Sequence, residues 1–174
     1  MTSATEFALV ECAIRQLHAR YMDAVWRLDY EAFGDCFTED CEWRIGGVVL
    51  RGRQEIVAHN RELFSSKFRR LFITLRTPIL ELHPDGSASG RTYFSAQNLM
   101  ADGSGFAPLG RYFERFRKED GRWRASWRLF QTLYTGPADL SGTFHEVPDF
   151  GPPPAMPPLD AETANVSGLH VDPS

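Results

Sequence analysis

The side chains in this sequence that could do chemistry are few and scattered. Tyr21 stands on an apolar helical stripe. There a phenol either donates to a carbonyl or developing oxyanion, or finds a backbone partner in a core. Trp26, Trp43 and Tyr112 either line a cavity for a flat apolar or aromatic ligand or pack as core. Gln97 and Asn98 supply the orienting polar contacts of such a cavity or bond along a strand edge. Asp23 reads first as a solvated helix carboxylate. Of the five histidines, His18 flanks the stripe or its rim, His59 sits on a later helix, His83 in a turn, and His145 and His170 near the end of the chain. No two of them have ligand spacing on one face, so no metal site is expected. There is no phosphate-cradling loop and no G-x-S-x-G elbow, so no cofactor is expected either.

Those positions must be held by one domain, because 174 residues with 43% apolar and 24% charged side chains is the size and balance of one. The net charge of −4 excludes a basic nucleic-acid footprint. Arginines do gather at Arg111, Arg115, Arg117, Arg122, Arg124 and Arg128, and read as the wet face of alternating strands rather than a phosphate patch. Cys12, Cys36 and Cys41 form no CxxC pair, which predicts a reduced, cytoplasmic protein. The first residues lack the pattern of a signal, and no apolar run approaches the roughly 18 residues of a membrane span.

The element pattern is α+β. Ser3 or Thr5 caps a first helix whose stripe is Val10, Ile14, Leu17, Tyr21 and Leu28, thickened by Val25 and Trp26. Asp29 caps a short helix over Tyr30 to Phe37. Cys41 to Ile45 and Val48 to Arg51 form a hairpin about Gly46-Gly47, and Gln54 to Ser65 is a third helix. Strands follow over Arg70 to Leu82, Gly90 to Met100, Leu109 to Arg117 and Arg122 to Tyr134. In the last, Trp123, Ala125, Trp127, Leu129 and Leu133 are read as one buried face, and Arg124, Ser126, Arg128 and Thr132 as the wet one. A bent sheet of so few strands cannot close, so the helices must plug its concave side and leave a cone with one open, aromatic-lined pocket. The domain is expected over 1–136. A Pro/Gly-rich tail over 137–174 is expected to lie on the barrel or on a neighbouring subunit.

The stretch A-I-R-Q-L-H-A-R-Y…L-D-Y-E-A-F-G-D-C-F-T-E-D-C-E-W, with G-R-T-Y-F-S-A-Q-N-L and R-K-E-D-G-R-W, resembles the SnoaL-like branch of the nuclear transport factor 2-like superfamily. The resemblance covers roughly 8–135 and rests on the ordered spacing of Asp29-Tyr30, Phe37, Glu39-Asp40 and Trp43, and on the turn Asp120-Gly121-Arg122-Trp123. It implies a cone-shaped barrel. It also implies kinship with scytalone dehydratase, dehydrochlorinase, bile acid dehydratases, steroid isomerases and polyketide cyclases.

The resemblance further implies an Asp–His pair in the pocket, and here the chain departs from it. The Asp position falls on Trp26, the strand 71–75 holds no His, Ser95 to Asn98 are all neutral, and the isomerase base position falls on Ile45. Tyr21 matches the helix tyrosine that such enzymes use to polarise a substrate oxygen. The expectation is a lyase, isomerase or cyclase of a hydrophobic ring compound that lacks the usual pair. A hydrophobic-ligand binding protein without chemistry is the alternative, and a structural subunit like a ring-hydroxylating dioxygenase β subunit is a third. A homodimer or homotrimer is expected, with no nucleic acid or membrane partner.

Overall fold

The computed structural model describes residues 3–139 and 142–144. Most of the Pro/Gly-rich tail, with His145 and His170, therefore lies outside the described residues. Helix α1 (Ala4–Arg27) starts where the Ser3 side chain accepts from the Glu6 N–H at 3.1 Å. It ends where Leu28 turns left-handed at φ 57° and donates back to the last turn. Asp29 caps α2 (Tyr30–Gly34) by accepting from the Ala32 N–H at 2.9 Å. This helix is shorter than its sequence pattern predicts. Phe37 already begins β1 (Phe37–Ile45), and its ring meets Phe33 edge-on across the junction. A side chain at Gly34 would come within 2.9 Å of Val57, so glycine there lets α2 lie close against α3 (Arg53–Ser66).

Gly46 and Gly47, both at positive φ, turn β1 into β2 (Val48–Arg51) as the sequence predicts. The single long strand expected over 70–82 is two, β3 (Phe68–Leu75) and β4 (Ile79–Leu82). Pro78, which has no N–H for the ladder, lies in the gap between them. The remaining strands are β5 (Ala88–Met100), β6 (Gly105–Phe106), β7 (Leu109–Glu119), β8 (Arg122–Thr135) and β9 (Thr143–Phe144). The sheet order is β2-β1-β8-β7-β5-β3, with β4 and β6 on β5 and β9 on β8. Among the described residues only the β1–β8 pairing is parallel.

The helices lie on the concave side of this curved, unclosed sheet, giving the expected α+β cone. The α1 face of Ile14, Leu17, His18, Tyr21, Ala24 and Val25 is buried against it. At the β3 edge, the Leu75 N–H donates to the Met22 sulfur at 3.1 Å, so the helix covers a ladder group that would otherwise be free. Among the described residues no helix is long and apolar enough to cross a membrane.

One irregularity decides what the cone contains. Arg115 pairs with Trp127 while Phe116 pairs with Ala125, so Ser126 is an extra residue on β8. Such a bulge resets the period-two alternation. Before it, Trp123 and Ala125 face the main core. Beyond it, Trp127 and Leu129 join Phe113 in a second, separate buried cluster, and Arg128 turns inward. The sequence reading of one continuous wet face is thus wrong for Arg128, which is 0% exposed. Arg111 and Arg124 are buried too, whereas Arg117 and Arg122 are solvated as expected.

Deleting Ser126 should therefore put one half of β8 on the wrong face. We expect loss of cooperative thermal unfolding by circular dichroism. Ser126→Ala, which removes only a 3.2 Å hydroxyl bond to the Arg115 carbonyl, should cost about 1 kcal/mol or less.

Candidate functional site

The inner faces of β5, β7 and β8 and one face of α1 converge on a single buried carboxylate. Glu114 and Arg128 are directly opposite each other on β7 and β8. Arg128 Nε and Nη2 donate to Glu114 Oε1 at 2.9 and 2.6 Å. The other oxygen, Oε2, lies 2.9 Å from His18 Nε2 and accepts from Thr92 Oγ1 at 3.1 Å. Burial alone would push the Glu114 carboxyl up, but His18 and Arg128 outweigh it and hold it down at about 2. For Arg128, burial pulls the other way and Glu114 again prevails, so the guanidinium stays charged.

That guanidinium sits in an aromatic cage. Its central carbon is 4.5 Å from the Tyr21 ring centre and 4.6 Å from that of Tyr112, with Phe37 at 5.1 Å and Trp43 at 5.5 Å. Cation–π attraction is strongest where both partners are desolvated, as here. The Tyr21 and Tyr112 hydroxyls are 3.4 Å apart, and burial raises the pKa of each phenol above its usual value, so both keep their protons. Three buried polar atoms of this assembly have no hydrogen-bond partner: Arg128 Nη1, Trp43 Nε1 and His18 Nδ1. The guanidinium's own free N–H, the Trp43 N–H and two protonated phenols thus gather in one buried place, donor types of the kind that stabilise negative charge on an oxygen.

The residues singled out from sequence divide between two places. Tyr21, Trp43 and Tyr112 come together around Arg128, all buried. Trp26 does not join them. It is 51% exposed and meets Phe72 edge-on at 5.6 Å. Trp26, Gln97 and Asn98 line a separate depression of about 470 Å³ with Arg70, Phe72 and Leu99. Gln97 is exposed, while Asn98 is buried with its Oδ1 unpartnered. Asp23 is a surface carboxylate paired with Arg27 at 2.9 Å.

Glu114 and Arg128 were not legible as site residues, and His18 is buried rather than on a rim. Glu114 did leave a signal. It interrupts the apolar series Tyr112, Phe116 at period two, and a carboxylate on a buried face demands partners. A surface groove of about 1170 Å³ between α2 and α3 is lined by charges several of which are already engaged. Arg53 pairs with Glu119, Arg122 with Asp35, and Arg61 lies over the Tyr30 ring. Burial pushes the thiols of Cys36 and Cys41 up to about 11 and 12, which keeps them unreactive near neutrality. Among the described residues no group of three or more His, Cys, Asp or Glu is placed to hold a metal ion.

The Glu114 carboxyl fixes a pH dependence. Its folded pKa of about 2 lies below the ordinary value of 4.5, so its stabilisation is complete above about pH 4.5 and is lost as pH falls toward 2. The shift corresponds to about 3 kcal/mol. Urea midpoints measured from pH 7 to pH 2.5 should be flat down to about pH 4.5 and then fall steeply.

Comparison with known proteins agrees with this architecture. A family model described as the SnoaL-like domain matches residues 8–128. Among solved structures, a hexachlorocyclohexane dehydrochlorinase, LinA-type3, from Novosphingobium barchaimii LL02 superposes with a TM-score of 0.71 at 16% identity, covering 84% of this chain and 100% of that one. Rv3472 from Mycobacterium tuberculosis, of unknown function, gives 0.65 at 26% identity, covering 75% and 76%. ActVI-ORFA from Streptomyces coelicolor gives 0.60 at 18% identity, covering 71% and 96%. No curated protein matches the chain by sequence. With a family model spanning most of its length and the same helix-plugged cone, the chain belongs to the SnoaL-like family of the nuclear transport factor 2-like superfamily.

Proposed function

We propose that this chain is a small-molecule enzyme of lyase, isomerase or cyclase type. It acts on a hydrophobic ring compound held among Tyr21, Trp43 and Tyr112, with Tyr21 and Arg128 polarising the substrate oxygen. The observation that carries this reading is the free Nη1 of a wholly buried guanidinium inside an aromatic cage, beside two protonated phenols. An arginine serving only to neutralise Glu114 has no use for that third nitrogen, and leaving a buried donor unsatisfied costs about 1–3 kcal/mol. A ring ketone would meet apolar faces on its carbons and N–H and O–H donors at its oxygen, as such sites require.

A panel of cyclic ketones and hydroxyketones, followed by absorbance and mass spectrometry, tests the reading. Tyr21→Phe should lower kcat by about a hundredfold with little change in KM, since the hydroxyl matters most when charge develops. Binding without turnover by the unaltered chain would favour the alternative, a hydrophobic-ligand binding protein. The depression shared by Trp26, Phe72, Gln97 and Asn98 is the observation that supports that alternative.

We also propose a homodimer or homotrimer joined through the sheet face turned away from the helices. Phe72 of β3 and Tyr93 and Leu99 of β5 are exposed there. Light scattering at micromolar concentration should give a mass of two or three chains, and Phe72→Glu should lower it.

A further inference from the structure

We infer that His18 is the proton-transferring residue of this site, held in its working tautomer by Glu114. The inference rests on the ring-compound reading above and adds the base that reading lacks. The sequence offers no Asp–His pair at the positions where the superfamily resemblance places one. The fold nevertheless builds a carboxylate–imidazole pair from other elements, a helix residue and the middle of β7, which lie 96 positions apart in the chain.

The tautomer follows from the bonds already made. Glu114 accepts at both oxygens, twice from Arg128 and once from Thr92, and it is ionised. An ionised carboxylate only accepts, so the proton of a neutral imidazole must be on Nε2, the atom 2.9 Å from Oε2. The lone pair is then on Nδ1, which is buried and has no partner. His18 is 3% exposed, packs edge-on to Phe116, and stands one helical turn before Tyr21 on the same face of α1. A histidine that merely filled the core would leave that buried acceptor unsatisfied for nothing. A base held by a carboxylate at its other nitrogen is the arrangement general-base catalysis uses.

With a ring ketone, the C–H bond next to the carbonyl breaks and its proton goes to Nδ1. The electron pair becomes the C=C bond of an enolate, and the carbonyl pair moves to oxygen, where Tyr21 and Arg128 donate to it. The imidazolium is balanced by Glu114. Returning the proton to another carbon of a conjugated enolate completes an isomerisation. Giving it to a departing β-hydroxyl completes a dehydration, with water leaving.

The test uses 2-tetralone, a bicyclic ketone with an acidic benzylic C–H, and the full chain in D₂O followed by proton NMR. The unaltered chain should speed exchange of that hydrogen. His18→Gln should slow it at least about a hundredfold while the Kd for 2-tetralone stays within about twofold. Exchange at the unaltered rate in His18→Gln would overturn the assignment of His18 and leave the ring-compound reading standing. An unaltered chain that neither exchanges nor transforms any ring ketone would overturn both. If His18→Gln does not fold, ¹⁵N NMR of His18 in the unaltered chain decides. A proton on Nε2 with a bare Nδ1 is expected, and a proton on Nδ1 would overturn the inference.

Discussion

The ion pair between Glu114 and Arg128 is the constraint around which the interior of this protein is arranged. Two charges removed from water cost several kcal/mol each unless their remaining hydrogen-bonding capacity is met. The carboxylate meets that demand fully, with bonds from Arg128, His18 and Thr92 drawn from three elements. Those bonds fix the angle of α1 against the sheet and the register of β7 against β8. Removing either charge would leave the other buried and alone, which typically costs about 3–5 kcal/mol. Such a pair does little to make the fold more stable than an apolar core would.

The aromatic residues follow from the guanidinium. Tyr21, Phe37, Trp43 and Tyr112 surround it because π faces are the apolar surfaces that also offer a cation favourable electrostatics. Phe94 and Phe130 then pack beside Tyr112 and extend the ring cluster toward β5. A region of this kind is apolar toward carbon and strongly polar at one point. That asymmetry is what motivates the proposal of a ring compound with an oxygen as substrate.

Outside the cone, electrostatics serve assembly of the fold. Arg124 donates to the Asp35 carbonyl at 2.9 Å and its carboxylate at 2.6 Å, and also to the Glu119 carbonyl at 2.6 Å, tying the end of α2 to the β7–β8 turn. Arg53 reaches from α3 to the Phe37 carbonyl and Glu119. Arg122 and Arg124 of the arginine run thus tie the end of α2 to the sheet, a structural use that needs no phosphate ligand.

Local chemistry was legible in the sequence wherever a residue's preference acts on its own neighbours. Ser3 and Asp29 cap helices, Gly46-Gly47 turns a hairpin, and the α1 stripe finds the buried face, because each depends on bonds spanning a few residues. The same local signals, in order, identified the cone. Tyr21 is buried because the apolar stripe of α1 places it inward, while for Trp43 and Tyr112, buried as well, the sequence left cavity lining and core packing both open. What the sequence did not show was Arg128, because any residue can occupy a bulge and only the pairing of β7 with β8 reveals that Ser126 is the extra one. Once that single residue steps out of the ladder, a side chain that reads as solvated turns inward. It meets Glu114, whose other oxygen holds His18, and the centre of the candidate site is made by contacts between residues far apart in the chain. Periodicity is a property of a strand alone, but register belongs to two strands together, and here register decided which charges the protein buries.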